Sequence, residues 1–201
     1  MMAERLTGEE RRRVIVEAAV GLFSQKGFRG TTTKEIAETA GCSEATIFKH
    51  FATKNELYSA ILEAKSRIEE TLAKAAQAAA SKDDSGVFRA VGLESLIRTE
   101  QDPSLMRLLL FSALEGHDLS HLFFESKVRG LHEFLSGYIK DRIADGAFQP
   151  VDPLLAARGF VGMIAHYLLI HEIFEVKRQA GLLPEHVVDT FVRLFLRGIQ
   201  Q

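Results

Sequence analysis

Ser43, Glu44, Thr46, Lys49 and His50 are the residues whose types and spacing best suit chemistry in this chain. Within residues 31–54, TTTKEIAETAGCSEATIFKHFATK, they fall on one side of a short helix. Ile47 and Phe51, four apart, fall on the other. Two apolar anchors would fix such a helix while hydroxyl, carboxylate, ammonium and imidazole groups stay outside. Hydrogen-bonding groups at the N-terminal end of a short anchored helix suit insertion into a DNA major groove, where each base pair shows its own donor and acceptor pattern.

The elements that must hold this helix are readable. Thr32 and Glu35 fit a capping box, with the hydroxyl taking an N–H three residues on and the carboxylate reaching back. Ile36, Ala37 and Ala40 give that helix a buried side, Gly41 suits the left-handed turn that ends it, and Ser43 is a good N-cap for the next. Thr53 and Glu56 make another box, so a further helix follows at once. The pair is a helix-turn-helix. Upstream, Thr7 and Glu10 form a box that starts the first helix near Gly8. Val14, Ile15, Ala18, Ala19, Leu22 and Phe23 are its expected buried stripe, Gly27 closes it, and Arg11–Arg13 read as a solvated charged face, with phosphate contact as the alternative.

From Val14 to Leu57 the chain resembles the N-terminal domain of the TetR/AcrR transcriptional regulators. The segments AAVGLFSQKGFRGTT and IAETAGCSEATIFKHFATKNEL carry the resemblance. Phe23, Gly27-Phe28, Thr32-Thr33, Ile36-Ala37, Gly41, Thr46-Ile47-Phe48, Phe51, Lys54 and Leu57 agree in order and spacing. Beyond about residue 60 only length and helical character agree. The resemblance implies that Thr32, Thr33 and Lys34 meet phosphates or a groove edge. It implies that Ser43, Glu44, Ala45 and Thr46 face base edges, and that Lys49, His50 and Lys54 hold the DNA backbone. One position departs from the family's pattern. Phe48 stands where a tyrosine is common, so a phosphate hydrogen bond is replaced by packing on sugar or a thymine methyl. Glu44 either accepts from a cytosine amino group or caps its own helix.

Charge agrees with this only weakly. The chain has 201 residues and a formal net charge of −2. Residues 1–54 carry nine Lys/Arg against seven Asp/Glu, an excess of two positive charges. Phosphate neutralisation drives affinity, so one such reader binds weakly and two bind better. The single cysteine, Cys42, allows no internal disulfide and reads as a small core residue. The charged N-terminus lacks an apolar signal core. The longest apolar region, Leu154–Phe174, is interrupted by Arg158, His166, His171 and Glu172, which argues against a membrane span. A cytoplasmic protein is expected.

The remainder reads as helices, about nine in an all-α chain. Leu57, Ile61, Ala64, Ile68, Leu72, Ala75 and Ala79 predict one long fourth helix, a lever running out of the reader to a break at Ser81–Gly86. Helices follow over Val87–Glu100, Ser104–Gly116, Leu119–Ala144, Pro153–Lys177 and Pro184–Gly198. The expected division is a DNA-binding domain over residues 1–54 and a ligand-sensing and dimerisation domain over 55–201. Gly159 and Gly162 flatten one face of the penultimate helix, with Met163, Tyr167, Ile170 and Phe174 beside them. Phe191, Leu194, Phe195 and Ile199 supply the last helix. These residues make either one internal core or a four-helix interface between two copies. The resemblance favours the interface, because family members dimerise through their last two long helices.

Arg107, Phe111, His117, His121, Phe124, His132, Tyr138, His166, Tyr167 and His171 could enclose an apolar cavity with a few polar groups. Arg107, Phe111, Phe124, Tyr138, His166 and Tyr167 are the candidates for a small-molecule effector site. His117 and His121 share a helical spacing, but Asp118-Leu119-Ser120 reads as a helix start between them, so no metal is expected. No cofactor is expected either. Phosphate-binding glycine loops, nucleophile elbows and HExxH pairs do not occur, so an enzyme is not expected. The expected protein is a dimeric repressor of a palindromic operator, released by a small molecule. The alternative is an all-α ligand carrier, or a metal-dependent helical enzyme, with a degenerate helix-turn-helix.

Overall fold

The structure is a computed structural model and describes residues 6–177 and 182–201. Local signals set the first helix ends. Thr7 and Thr32 each accept the N–H three residues on, while Glu10 and Glu35 return to the threonine N–H. These boxes open α1, Gly8–Lys26, and α2, Thr33–Thr39. Gly41 takes φ +62, a left-handed turn that a side chain disfavours. The Ser43 hydroxyl then accepts the Thr46 N–H at 3.2 Å and opens α3, Glu44–His50. Thr53 opens α4, Lys54–Lys65, by accepting from Glu56. The Glu56 carboxylate turns instead to the Ala52 N–H at 2.8 Å, so only half of that box forms.

The chain continues as α5 (Ile68–Ala80), α6 (Asp84–Gln101), α7 (Ser104–Leu114), α8 (Asp118–Phe123), α9 (Arg129–Ala144), α10 (Pro153–Leu168) and α11 (Pro184–Ile199). π-helical turns at Phe124–Val128 and Leu169–Ile173 join α8 to α9 and extend α10. Both prolines sit in the first turn, where a missing N–H costs nothing. Among the described residues there is no strand, only one antiparallel bridge between Phe148 and Gln200. The all-α expectation holds.

Among the described residues all nine expected segments are helical, and two of them are interrupted. The Leu119–Ala144 segment is interrupted by the π-helical turn. The fourth helix also breaks, at Ser66, which is extended with φ −79 and ψ 129. Arg67 then starts α5 without a side-chain cap. The break shifts the buried stripe. Leu57 and Ile61 are buried and Ala64 is exposed; Thr71 and Ala75 are then buried, while Ile68 and Leu72 are only half-buried. The expected single rigid lever is therefore two helices.

Contacts divide the chain into two compact units: the chain up to Ser66 with Ser104–Phe123, and Arg67–Pro103 with Phe124–Gln201. In the first, Ile15, Ala19, Phe23, Ile36, Ile47, Phe51, Leu57, Tyr58, Ile61 and Leu108 are buried. The Tyr58 hydroxyl donates to the Leu108 carbonyl at 2.9 Å, tying α4 to α7. Because α2, α4 and α7 all pack on α1, its buried surface is wider than one stripe and rotated. Val16 and Val20 are buried, while Val14, Ala18 and Leu22 are half-buried.

In the second unit, the rings of Phe88, Phe160 and Phe195 meet with centroids 4.8–5.3 Å apart. Phe195 and Ile199 thus face inward, not outward toward a partner as expected. Asp84 accepts from the Tyr138 hydroxyl at 2.5 Å and from Arg142 Nε at 2.7 Å. Burial pushes the Asp84 carboxyl up, but hydrogen bonds from Arg142 and Tyr138 and the Arg142 charge outweigh it and hold it below its ordinary range. Pro153–Ile173 is 21 residues of mean hydropathy 1.5, long and apolar enough to cross a membrane. One side of it, through Ala157, Phe160, Ile164 and Leu168, is instead core of this unit.

Candidate nucleic-acid interface

Helix α3 is fixed from below and open above. Ile47 and Phe51 are each 1% exposed. Ser43, Glu44, Ala45 and Lys49 are exposed, Thr46 and His50 half-buried. Phe48 stands 49% exposed, an apolar ring in the middle of a polar surface. Its neighbours are ordered by their own hydrogen bonds. The Thr33 hydroxyl donates to the Glu44 carboxylate at 2.5 Å, and the Ser43 and Thr46 hydroxyls lie 2.9 Å apart. Thr32 caps α2 and stays exposed, as does Lys34 beside it. Lys26 binds Glu35 at 2.7 Å. That hydrogen bond, with the Thr32 N–H and hydroxyl, holds the Glu35 carboxyl down at about 2.

Two of the N-terminal arginines do more than meet solvent. The Arg12 guanidinium lies 4.4 Å from the centroid of the Phe51 ring, and Arg11 donates to the Ala40 carbonyl at 3.4 Å. Both brace the helix-turn-helix from α1. Arg13 is exposed.

Lys54 differs from the other expected backbone contacts. Its Nζ donates to the Phe28 and Thr31 carbonyls and lies 4.0 Å from the centroid of the Phe28 ring. Burial lowers its pKa, against the opposing charges of Glu115 and Glu35. The Lys54 ammonium, expected to hold the DNA backbone, is turned inward onto the protein's own backbone. Glu115, at the turn after α7, accepts the Phe28 N–H at 3.1 Å and the Arg29 N–H at 3.3 Å. No local motif marks Glu115, since its partners lie 86 and 87 residues away in sequence.

The six effector candidates fall in different places. Arg107 and Phe111 belong to the first unit, and the other four to the second. The Tyr138 hydroxyl is committed to Asp84. Phe124 faces His132, with ring centroids 6.0 Å apart. Tyr167 meets the rings of His171 and Phe191, and His166 is exposed on α10. A cleft of about 220 Å³ in the second unit is lined by Lys74, Gly86, Arg89, Ala90, Leu93 and Glu94, none of them expected. His117 lies before α8 with its ring on Phe28, centroids 4.2 Å apart. Among the described residues no three His, Cys, Asp or Glu are grouped to hold a metal.

Known proteins resemble this chain in sequence and fold. Residues 15–61 match the bacterial regulatory proteins of the tetR family, and residues 90–198, more than half of the chain, match the C-terminal domain of AefR-like transcriptional repressors. The HTH-type transcriptional regulator YvkB of Bacillus subtilis strain 168 is 28% identical over 185 residues, 92% of this chain and 95% of YvkB. AibR, in a crystal structure with isovaleryl coenzyme A and operator DNA, has a TM-score of 0.69 at 23% identity, covering 92% of this chain and 97% of AibR. The fatty acid degradation regulator FadR of Bacillus halodurans has a TM-score of 0.74 at 16% identity, covering 97% of this chain and 98% of FadR. The chain is therefore a DNA-binding transcription regulator and not an enzyme, a member of the TetR family.

Proposed function

We propose that this chain is a dimeric repressor whose α3 reads a palindromic operator and whose hold is released by a small molecule. The observation that carries the reading is the surface of α3, with Ile47 and Phe51 buried while Glu44, Ala45, Phe48 and Lys49 stay open. Ser43, Glu44, Ala45 and Thr46, at the N-terminal end, meet base edges. Thr32, Thr33, Lys34, Lys49 and His50 meet phosphates or a groove edge, and Phe48 packs on sugar or a thymine methyl. Its place of action is the cytoplasm, where operator DNA lies. AibR carries an acyl-coenzyme A and operator DNA on the same fold, which supports an effector-responsive reading here.

The dimer face is the outer side of α10 and α11. Leu155 is 64% and Leu194 59% exposed. A Cβ at Gly159 or Gly162 would meet nothing within 4 Å, so that side is flat and open to a second copy. The test is selection of duplexes from a random pool, followed by binding across salt concentrations. A palindromic motif and a steep fall of affinity with salt are expected. A flat salt dependence with no enriched motif would overturn the reading in favour of a helical carrier.

A further inference from the structure

The loop from Gly27 to Thr31 is held from two sides by opposite charges. On the donor side, the Glu115 carboxylate accepts the Phe28 and Arg29 N–H groups. On the acceptor side, Lys54 Nζ binds the Phe28 and Thr31 carbonyls. Phe28 is thus gripped through both its N–H and its carbonyl, one by α7's terminal turn and one by α4. Its ring is packed as well, with the Lys54 ammonium 4.0 Å from its centroid and the His117 ring at 4.2 Å. Gly27 has φ +73, and a Cβ there would lie 2.3 Å from Glu115 Oε1. Thr31 is 1% exposed, and its hydroxyl donates to the Gly27 carbonyl at 2.9 Å. The next residue, Thr32, caps α2.

We propose that Glu115 and Lys54 are positioning residues of the DNA reader, clamping the α1–α2 loop so that Thr32–Lys34 and α3 are presented in register. The proposal rests on the DNA-reading function above. Charged groups make the stronger hydrogen bonds to backbone, so this pair fixes a non-helical loop more firmly than neutral contacts would. Part of the reader's scaffold is then supplied by the turn after α7, outside the residues 15–61 that match the DNA-binding family pattern. Lys54 acts through the loop and not through phosphate.

The test uses the full chain with Glu115→Gln, Glu115→Ala and Lys54→Met. Binding is measured to a duplex selected by the wild type and to a scrambled duplex, across salt. Loss of the clamp should weaken selected-duplex binding by about three- to tenfold, with scrambled binding and the salt slope retained. Glu115→Gln keeps an acceptor oxygen and should recover part of the loss seen in Glu115→Ala. A Lys54→Met slope lowered by about one makes Lys54 a phosphate contact and overturns the proposal. Equal loss on both duplexes makes the pair merely structural and overturns it too. A wild type that enriches no duplex from the random pool overturns the function above instead. Hydrogen exchange at the Phe28 and Arg29 amides, read without DNA, then still decides the clamp. Faster exchange in Glu115→Ala is expected, and unchanged exchange overturns it.

Discussion

Thr33 donates its hydroxyl proton to the Glu44 carboxylate at 2.5 Å, joining the first turn of α2 to the first turn of α3. The bond orients an acceptor-only group at the N-terminal end of α3, the end proposed to meet base edges. Such a group accepts from a cytosine N4 amino group and is repelled by the O6 and N7 acceptors of guanine. Glu44→Ala should relax preference at one operator position per half-site, by about 1–3 kcal/mol. Thr33→Val, which keeps the shape and removes the donor, should shift preference at the same position by less. Duplex selection with each variant checks this. An unchanged wild-type motif from both sinks the base-reading role, and a uniform loss across sequences for Thr33→Val reassigns Thr33 to phosphate.

Lys34 and Lys49 are the exposed ammonium groups on α2 and α3. Replacing either with Ala should weaken binding to all sequences alike and lower the salt slope by about one. Affinity measured on selected and scrambled duplexes at several salt concentrations decides it. A changed sequence preference at constant slope would remove these residues from the phosphate set.

Legibility in the sequence follows the range of the forces. Capping boxes act over three residues, so Thr7–Glu10 and Thr32–Glu35 are readable and both form. Ile47 and Phe51 are readable because period and burial coincide on a short helix. The break at Ser66–Arg67 is not, since Arg67 supplies no capping side chain and no glycine or proline marks the place. The inward turn of Lys54 is not readable either: its motif position is local, but its partners Phe28 and Thr31 are 26 and 23 residues back. The effector candidates rest on residue type alone, which does not distinguish Tyr138 bound to Asp84 from an open cavity wall.

The Asp84–Tyr138–Arg142 cluster yields a stability test. The Asp84 and Arg142 side chains are 13% and 14% exposed, so removing one leaves the other poorly solvated. Asp84→Ala should cost about 1–3 kcal/mol, and the double variant with Arg142→Met less than the sum of the two. The folded Asp84 pKa lies below its ordinary value, so its stabilisation is present above the ordinary carboxylate range and is lost as pH falls through the lowered value. Denaturant midpoints of wild type and Asp84→Ala should therefore converge in acid. A constant gap from neutral to acid pH would show that Asp84 stabilises by packing and not by charge.

The outer face of α10 and α11 gives the last test. Gly162 is exposed, and a Cβ there would have no neighbour within 4 Å, so a side chain introduced by Gly162→Arg starts into open space within a single protomer. Met163 is half-buried and a less clean choice. Leu194→Arg, on the neighbouring helix, is an independent second variant, since Leu194 is 59% exposed. In a dimer built on this face, either arginine would be buried against apolar surface without a partner, which is strongly unfavourable. Both variants should keep their helix content by circular dichroism and sediment as single protomers. Operator affinity should then collapse, because two readers must reach half-sites about one helical turn apart, ~34–36 Å, or a multiple of it. Binding to a single half-site should be little changed. An intact dimer in both variants would move the interface off these two helices, and monomers with full operator affinity would remove the need for two readers.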